Sequence, residues 1–221
     1  GAGSIGSELV RQIANCDYKS LIVIDQAESA LYDLQQELKQ AGFFNFVPIV
    51  SDIRDKNKMR VLFEQYCPDR IFHAAAYKHV PLMEQNPYEA VKINVAGTKT
   101  IVDLSMEYNV EKFVYASSSS VYGDEKTLPK VEDKTGQLFS PYAVSKLTNE
   151  LYADIFTKSY NMKIIGLRYF NIFGPRQDPN GPYAAVIPIF ISNILKGETI
   201  YINGDGKTTR DFTYISNAVQ A

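Results

Sequence analysis

Cysteine and histidine are scarce in this chain, with two of each in 221 residues. Cys16 and Cys67 supply neither a disulfide framework nor the spacing of a zinc site, which fits a reducing, cytoplasmic setting. His73 and His79 stand outside any cysteine or carboxylate cluster with ligand spacing, so no metal is expected. No apolar run has the length of a membrane span, and no signal peptide is read, so no membrane contact is expected. Basic blocks, low-complexity tracts and internal repeats are also lacking. The formal net charge of -2 leaves no electrostatic footprint for nucleic acid or an anionic membrane.

What is present is ordinary for a globular protein: 45% hydrophobic and 22% charged residues, with length enough for one large domain or one and a half. The chain opens on Gly1-Ala2-Gly3-Ser4-Ile5-Gly6, a glycine-rich turn of the kind that follows a buried strand. It closes on Asn217-Ala218-Val219-Gln220-Ala221, which reads as helical. A fragment trimmed at both ends, lacking its first strand, is the expectation.

Periodicity assigns a helix from the glycine turn to Asn15 and strands at Leu21–Asp25 and Phe46–Val50. Helices are expected at Glu28–Ala41 and Lys56–Tyr66, a strand over Arg70–Ala76, and one long helix from Pro87 to Tyr108. A strand at Lys112–Ala116 runs into four serines, and a polar loop spans Gly123 to Phe139. A helix from Pro141 to about Tyr160 and a strand at Lys163–Arg168 follow. Strands alternating with helices imply βαβ units, hence an α/β fold with a doubly wound parallel sheet of Rossmann type. Beyond Arg168 the rhythm breaks at Gly174, Pro175, Pro179, Gly181 and Pro182. A helix near Ala184–Leu195, a short strand at Thr199–Ile202 and a turn at Asn203–Gly206 then suggest a smaller, here incomplete, substrate-binding cap. The expected division is 1–170 and 171–221.

Two groups carry candidate chemistry. Gly3, Ser4, Ile5 and Gly6 would let a pyrophosphate approach the backbone at a helix N-terminus. Asp25, nineteen residues after Gly6 at a strand end, is placed to accept hydrogen bonds from an adenine-ribose diol. An acid there repels a 2′-phosphate, so NAD is favoured over NADP. The second group is Ser140-Pro141-Tyr142-Ala143-Val144-Ser145-Lys146. Ser140 is the expected N-cap and Pro141 suits the first helical turn. Tyr142 and Lys146, four apart, share one face, where the ammonium is expected to lower the phenol pKa. Ser118 ends the preceding strand, twenty-four residues before Tyr142.

These residues, with Asp52-Ile53, His73-Ala74-Ala75-Ala76, Asn94-Val95-Ala96-Gly97-Thr98 and Leu167-Arg168-Tyr169-Phe170-Asn171, resemble the extended short-chain dehydrogenase/reductases that modify nucleotide sugars. The rear half, including 183–188, 201–206 and Arg210-Asp211-Phe212, is similar to UDP-N-acetylglucosamine 4-epimerases of polysaccharide biosynthesis. The resemblance implies a catalytic trio of Ser118, Tyr142 and Lys146. It implies NAD contacts from Gly3 to Gly6, Asp25, Asp52, Ile53, Ala74, Ala75, Ala76, Asn94, Ser117, Tyr142, Lys146 and Tyr169. Contacts to a UDP-sugar are implied for Lys78, Ser118, Ser119, Ser120, Asn171, Ala185, Val186, Tyr201, Asn203 and Arg210. It further implies epimerisation at C4 through a 4-keto sugar, and a homodimer.

One segment departs from that pattern. Tyr77-Lys78-His79-Val80-Pro81-Leu82-Met83-Glu84 resembles the 4,6-dehydratases acting on UDP-N-acetylglucosamine. Those enzymes place an Asp with Glu or Lys directly after the strand-end Ser or Thr, and related decarboxylases place a Glu in this run. Here Ser118, Ser119 and Ser120 stand instead, which favours epimerisation over loss of the C6 hydroxyl. A dehydratase stays the neighbouring alternative, and a non-catalytic NAD-sensing module the alternative of another class. His73 is expected to be a satisfied buried histidine, and Asn94 to tie the sheet edge together.

Overall fold

The computed structural model describes residues 1–180 and 184–221. Gly181, Pro182 and Tyr183, read above as part of the punctuated loop and of the 183–188 motif, lie outside the described residues. Two compact units are present, Gly1–Arg168 and Tyr169–Ala221.

The first unit alternates helices and strands as the periodicity implies. It begins with α1 (Ser4–Ile13), β1 (Leu21–Asp25), α2 (Glu28–Gln40), β2 (Phe46–Val50), α3 (Lys56–Tyr66) and β3 (Arg70–His73). After α4 (Val80–Gln85) and α5 (Pro87–Ala90) comes a π-helical segment, Val91–Gly97, and then α6 (Thr98–Glu107). The strand β4 (Lys112–Ser118), a 3-10 turn at Ser119–Tyr122, α7 (Pro141–Tyr160) and β5 (Ile164–Tyr169) complete it. The fold is of Rossmann type, with its strands in two sheets. β1 and β2 pair in parallel, Leu21 opposite Phe46 and Asp25 opposite Val50. The other sheet has the order β3–β4–β5, with Arg70 opposite Lys112 and His73 opposite Tyr115 in a parallel pair.

Helix faces cover these strands. Leu31, Leu34 and Leu38 recur at helical spacing on α2 and are 3%, 4% and 2% exposed, packed with Val10, Ala14 and Val23. Each contributes roughly 1.5–3 kcal/mol by leaving water. A second core joins Met59 and Phe63 of α3, Ile101 and Leu104 of α6, Phe113 and Tyr115 of β4, and Phe156 of α7. α7 starts where its sequence says it should: Ser140 Oγ accepts from the Ala143 amide at 3.2 Å, and Asn161, at φ 55°, ends it in the left-handed region.

Three expectations are corrected. The helix from Pro87 to Tyr108 is not uniform, because side chains draw on its ladder at Val91–Gly97. Thr98 Oγ1 and Asn149 Nδ2 both donate to the Asn94 carbonyl, at 2.6 and 2.8 Å, and the ladder widens there. The strand expected over Arg70–Ala76 stops at His73. No strand forms at Thr199–Ile202, where Tyr201 and Ile202 are 77% and 66% exposed and pair with no strand among the described residues.

The second unit holds β6 (Ile172–Phe173), α8 (Val186–Lys196), β7 (Thr213–Tyr214) and α9 (Ile215–Gln220). β6 pairs in parallel with β7, and Phe173 meets Phe212 and Tyr214 edge-on at 6.2 and 5.4 Å. Gly197, at φ 69°, ends α8.

Candidate active site

A cleft of about 390 Å³ opens beside the carboxyl ends of β1, β2 and β3. Gly3, Ser4, Ile5 and Gly6 line it, as do Asp25, Asp52, Ile53, Ala74, Ala75 and Ala76. Ten of the residues expected to hold NAD therefore share one wall system. Lys78, expected to face sugar, lines this same cleft with Tyr77 and His79. The turn needs its glycines for different reasons. A Cβ on Gly6 would stand 2.5 Å from the Gly1 carbonyl oxygen, whereas one on Gly3 would meet nothing within 4 Å. The first turn of α1 has no side-chain cap at Gly3, so its amides and dipole suit an anion.

Asp25 holds the turn to β1. Its carboxylate accepts from the Gly1 amino group at 2.7 Å and from the Ala2 and Ala27 amides at 2.8 and 2.9 Å. Asp52 is gripped by Arg54, whose Nη2 and Nε lie 2.6 and 2.9 Å from Oδ2, and its pKa is depressed by that pairing. Arg54, two residues after Asp52, was not singled out from sequence.

The second part of the site lies between the end of β4 and the start of α7. Ser118 lies close enough to the Tyr142 hydroxyl to lower its pKa, and Ser118 Oγ accepts from the Ser120 amide at 3.2 Å. Lys146, 3% exposed, donates to the Ala116 carbonyl oxygen at 2.7 Å, and its Nζ stands 5.8 Å from the Tyr142 ring centre. Ser120 Oγ is buried with no hydrogen-bond partner among the described residues. Ser118 at the end of β4 and Tyr142 and Lys146 at the start of α7 are thus brought close together.

The electrostatics differ from expectation. Burial raises the Tyr142 pKa above that of a free phenol, and Ser118 offsets this only in part. The expected lowering by Lys146 is corrected, because the ammonium is aimed at Ala116 and is itself desolvated. Burial pushes the Lys146 pKa down to about 8.

Asn94 and Ser117, expected cofactor contacts, bind protein groups through their side chains. Asn94, fully buried, donates from Nδ2 to the Tyr77 carbonyl at 2.9 Å and to Ser145 Oγ at 3.1 Å, and its Oδ1 accepts from the Tyr77 amide at 2.8 Å. Ser117 Oγ donates to Glu150 at 2.5 Å. Glu150 in turn holds Arg168 through two oxygens at 3.0 and 2.7 Å, and Arg168 lies 4.8 Å over the Tyr122 ring. Glu150 follows Lys146 by four residues, so the helical face of Tyr142 already pointed to it. His73 is the satisfied buried histidine expected, 2.8 Å from Thr98 Oγ1, with its pKa pushed down to about 3 by burial and by the Lys146 charge.

A glycine turn beside a strand-end acid is the arrangement of a dinucleotide site, and the same unit carries a Tyr/Lys pair and a strand-end serine. Comparison with known proteins agrees. The sequence profile described as the NAD dependent epimerase/dehydratase family matches residues 1–221. This chain belongs to that family. The UDP-glucose 4-epimerase of Thermotoga maritima, solved with UDP-glucose, is 33% identical and superposes with a TM-score of 0.89 over 100% of this chain and 69% of that one. The UDP-N-acetylglucosamine 4-epimerase of Methanobrevibacter ruminantium, solved with UDP-N-acetylmuramic acid, is 35% identical, with a TM-score of 0.88 over 99% of this chain and 68% of that one. A UDP-N-acetyl-alpha-D-glucosaminuronate decarboxylase of Bacillus cytotoxicus is 35% identical over 100% of this chain and 67% of its own length.

The cofactor of this epimerase/dehydratase chain is NAD. The residues present fit it: an open glycine cradle, an uncapped helix N-terminus, and a buried ammonium with one acceptor among the described residues. In the second unit, Asn171 Nδ2 donates to the Asp211 carbonyl at 2.8 Å, and Arg210 Nη1 to the Thr209 carbonyl at 2.8 Å. Ala185 precedes α8, Val186 begins it, and Tyr201 and Asn203 are exposed. Tyr169 ends β5, its phenol pKa raised by burial. No helix among the described residues is long and apolar enough to cross a membrane.

Proposed function

We propose that this chain performs NAD-dependent epimerisation at C4 of a UDP-hexose, of the UDP-N-acetylglucosamine/UDP-N-acetylgalactosamine type, through a 4-keto sugar. The observation that carries the reading is Ser118 beside Tyr142 with a buried Lys146 four residues on, and only serines in the run that would need an acid and base for dehydration. When bound, NAD takes up the C4 hydride and gives it back. Tyr142 accepts the proton of the 4-hydroxyl, and Ser118 keeps that hydroxyl oriented. Lys146 holds the nicotinamide ribose. Tyr142 then returns the proton to the oxygen of the inverted centre. Ser119, Ser120 and Lys78, with Asn171, Ala185, Val186, Tyr201, Asn203 and Arg210, would bind the UDP-sugar, Arg210 as a fork suited to the pyrophosphate. The exposed apolar residues Val144, Leu151 and Ile155 of α7 suit a homodimer contact, which sedimentation would read as twice the chain mass.

Product analysis tests the reading. UDP-N-acetylglucosamine should give an isomer of unchanged mass, and Tyr142→Phe should abolish turnover while NAD stays bound. A product lighter by one water would move the assignment to the 4,6-dehydratases, which the 77–84 segment resembles. Bound NAD with no conversion of any UDP-sugar would leave a sensor.

A further inference from the structure

Ser145 has no part in the chemistry proposed above, yet it lies at a junction. It is 2% exposed, on the first turns of α7 between Tyr142 and Lys146. Its Oγ donates to the Tyr142 carbonyl at 2.7 Å and accepts from Asn94 Nδ2 at 3.1 Å. Asn94 is fully buried in the π-helical segment, and it clasps both the amide and the carbonyl of Tyr77, at 2.8 and 2.9 Å. Tyr77 lines the NAD cleft. An unbroken chain of hydrogen bonds therefore runs from the cleft wall to the main chain of the residue that carries the phenol.

A serine that merely back-bonds within its helix would need no such partner. Widened helical segments recur at functional sites, and here the widening brings a buried amide to Ser145. Both Asn94 Nδ2 hydrogens and one oxygen lone pair are used, so the junction has little freedom to rearrange.

We infer that Ser145 is a positioning residue: through Asn94 it ties the Tyr142 main chain to the NAD-cleft wall at Tyr77 and so holds the phenol in register with Ser118. The inference rests on Tyr142 being the acid/base group. Loss of the Ser145 hydroxyl would free the first turn of α7 without touching NAD, the sugar or the phenol. Misplacement of a reacting group by a fraction of an ångström acts on turnover more than on binding.

The test compares Ser145→Ala, Ser145→Cys and Tyr142→Phe in the full chain, reading kcat, KM for UDP-N-acetylglucosamine and NAD affinity. Ser145→Ala is expected to lower kcat about tenfold, with KM and NAD affinity within twofold of wild type. Ser145→Cys, similar in size with a weaker donor and acceptor, should fall between the two. Should the alanine variant lose NAD by failing to fold, the cysteine variant decides alone. Wild-type kcat in that variant, or a loss of kcat matched by an equal loss of NAD affinity, overturns the inference. An active Tyr142→Phe overturns the proposed role of Tyr142, and the positioning role with it. An inactive Tyr142→Phe beside fully active Ser145 variants overturns the positioning role only.

Discussion

Lys146 donates to the Ala116 carbonyl oxygen at 2.7 Å, the one acceptor its ammonium finds among the described residues, with 3% of the residue exposed. This contact sets the lysine between β4 and α7 and leaves its remaining donors for a ribose. The burial of the ammonium makes the fold sensitive to pH in a definite direction.

The folded lysine loses its proton near pH 8, the unfolded one near its ordinary value of 10.5. Within that window the unfolded chain binds the extra proton, so stability rises with pH. Below it both states are charged and the difference is flat. Relative to Lys146→Met, the wild-type chain should therefore gain most of about 3 kcal/mol between pH 8 and pH 10.5. Urea unfolding of both proteins at pH 7.5 and pH 10 reads this, and parallel pH dependences would refute it. The same variant should lose turnover and bind NAD more weakly.

The phenol obeys the opposite sign. Burial raises the Tyr142 pKa, and Ser118 is what lowers it. Ser118→Ala should move the acid limb of the kcat/KM profile to higher pH and reduce kcat by about 10²-fold near neutrality. A profile of unchanged shape would mean that Ser118 does not touch the ionising group.

Much of this is legible in the sequence. β1, β2 and α3 have the ends expected, because apolar or periodic runs there are bounded by acids and small polar residues. Ser140 and Pro141 announce α7 by local chemistry alone. What was hidden depends on partners far along the chain. A π-helical segment keeps the composition of an α-helix, and the donors that reach the Asn94 carbonyl there, Thr98 and the distant Asn149, do not show in it. The two-residue strands Ile172–Phe173 and Thr213–Tyr214 are too short for any periodicity to register. The pKa of Tyr142 went the other way because spacing reports proximity and says nothing about burial or the aim of the ammonium.

Gly3 and Gly6 separate function from folding within one turn. Gly6→Ala places a Cβ against the Gly1 carbonyl oxygen and should weaken both NAD binding and thermal stability. Gly3→Ala meets no protein atom, so it should leave the melting temperature within a few degrees. Its methyl group projects where an anion would rest, and NAD affinity should fall about tenfold. Calorimetric titration with melting curves distinguishes the two. Equal losses of stability would show that Gly3 is structural as well.

Glu150 and Arg168 form a paired charge with side chains only 17% and 15% exposed, and Ser117 Oγ adds a hydrogen bond to the same carboxylate. The pair joins α7 to β5, and Arg168 reaches further to the Glu132 carbonyl at 3.0 Å, anchoring the polar loop that follows the serine run. Removing one member strands the other charge in a poorly solvated place. Arg168→Met or Glu150→Met alone should cost about 3 kcal/mol. Removing both leaves no stranded charge, so the double variant should cost clearly less than the two single losses summed, by 1 kcal/mol or more. Denaturant unfolding of the four proteins completes the cycle. Strict additivity would show the two side chains to be independent, and the loop then should stay ordered without Arg168.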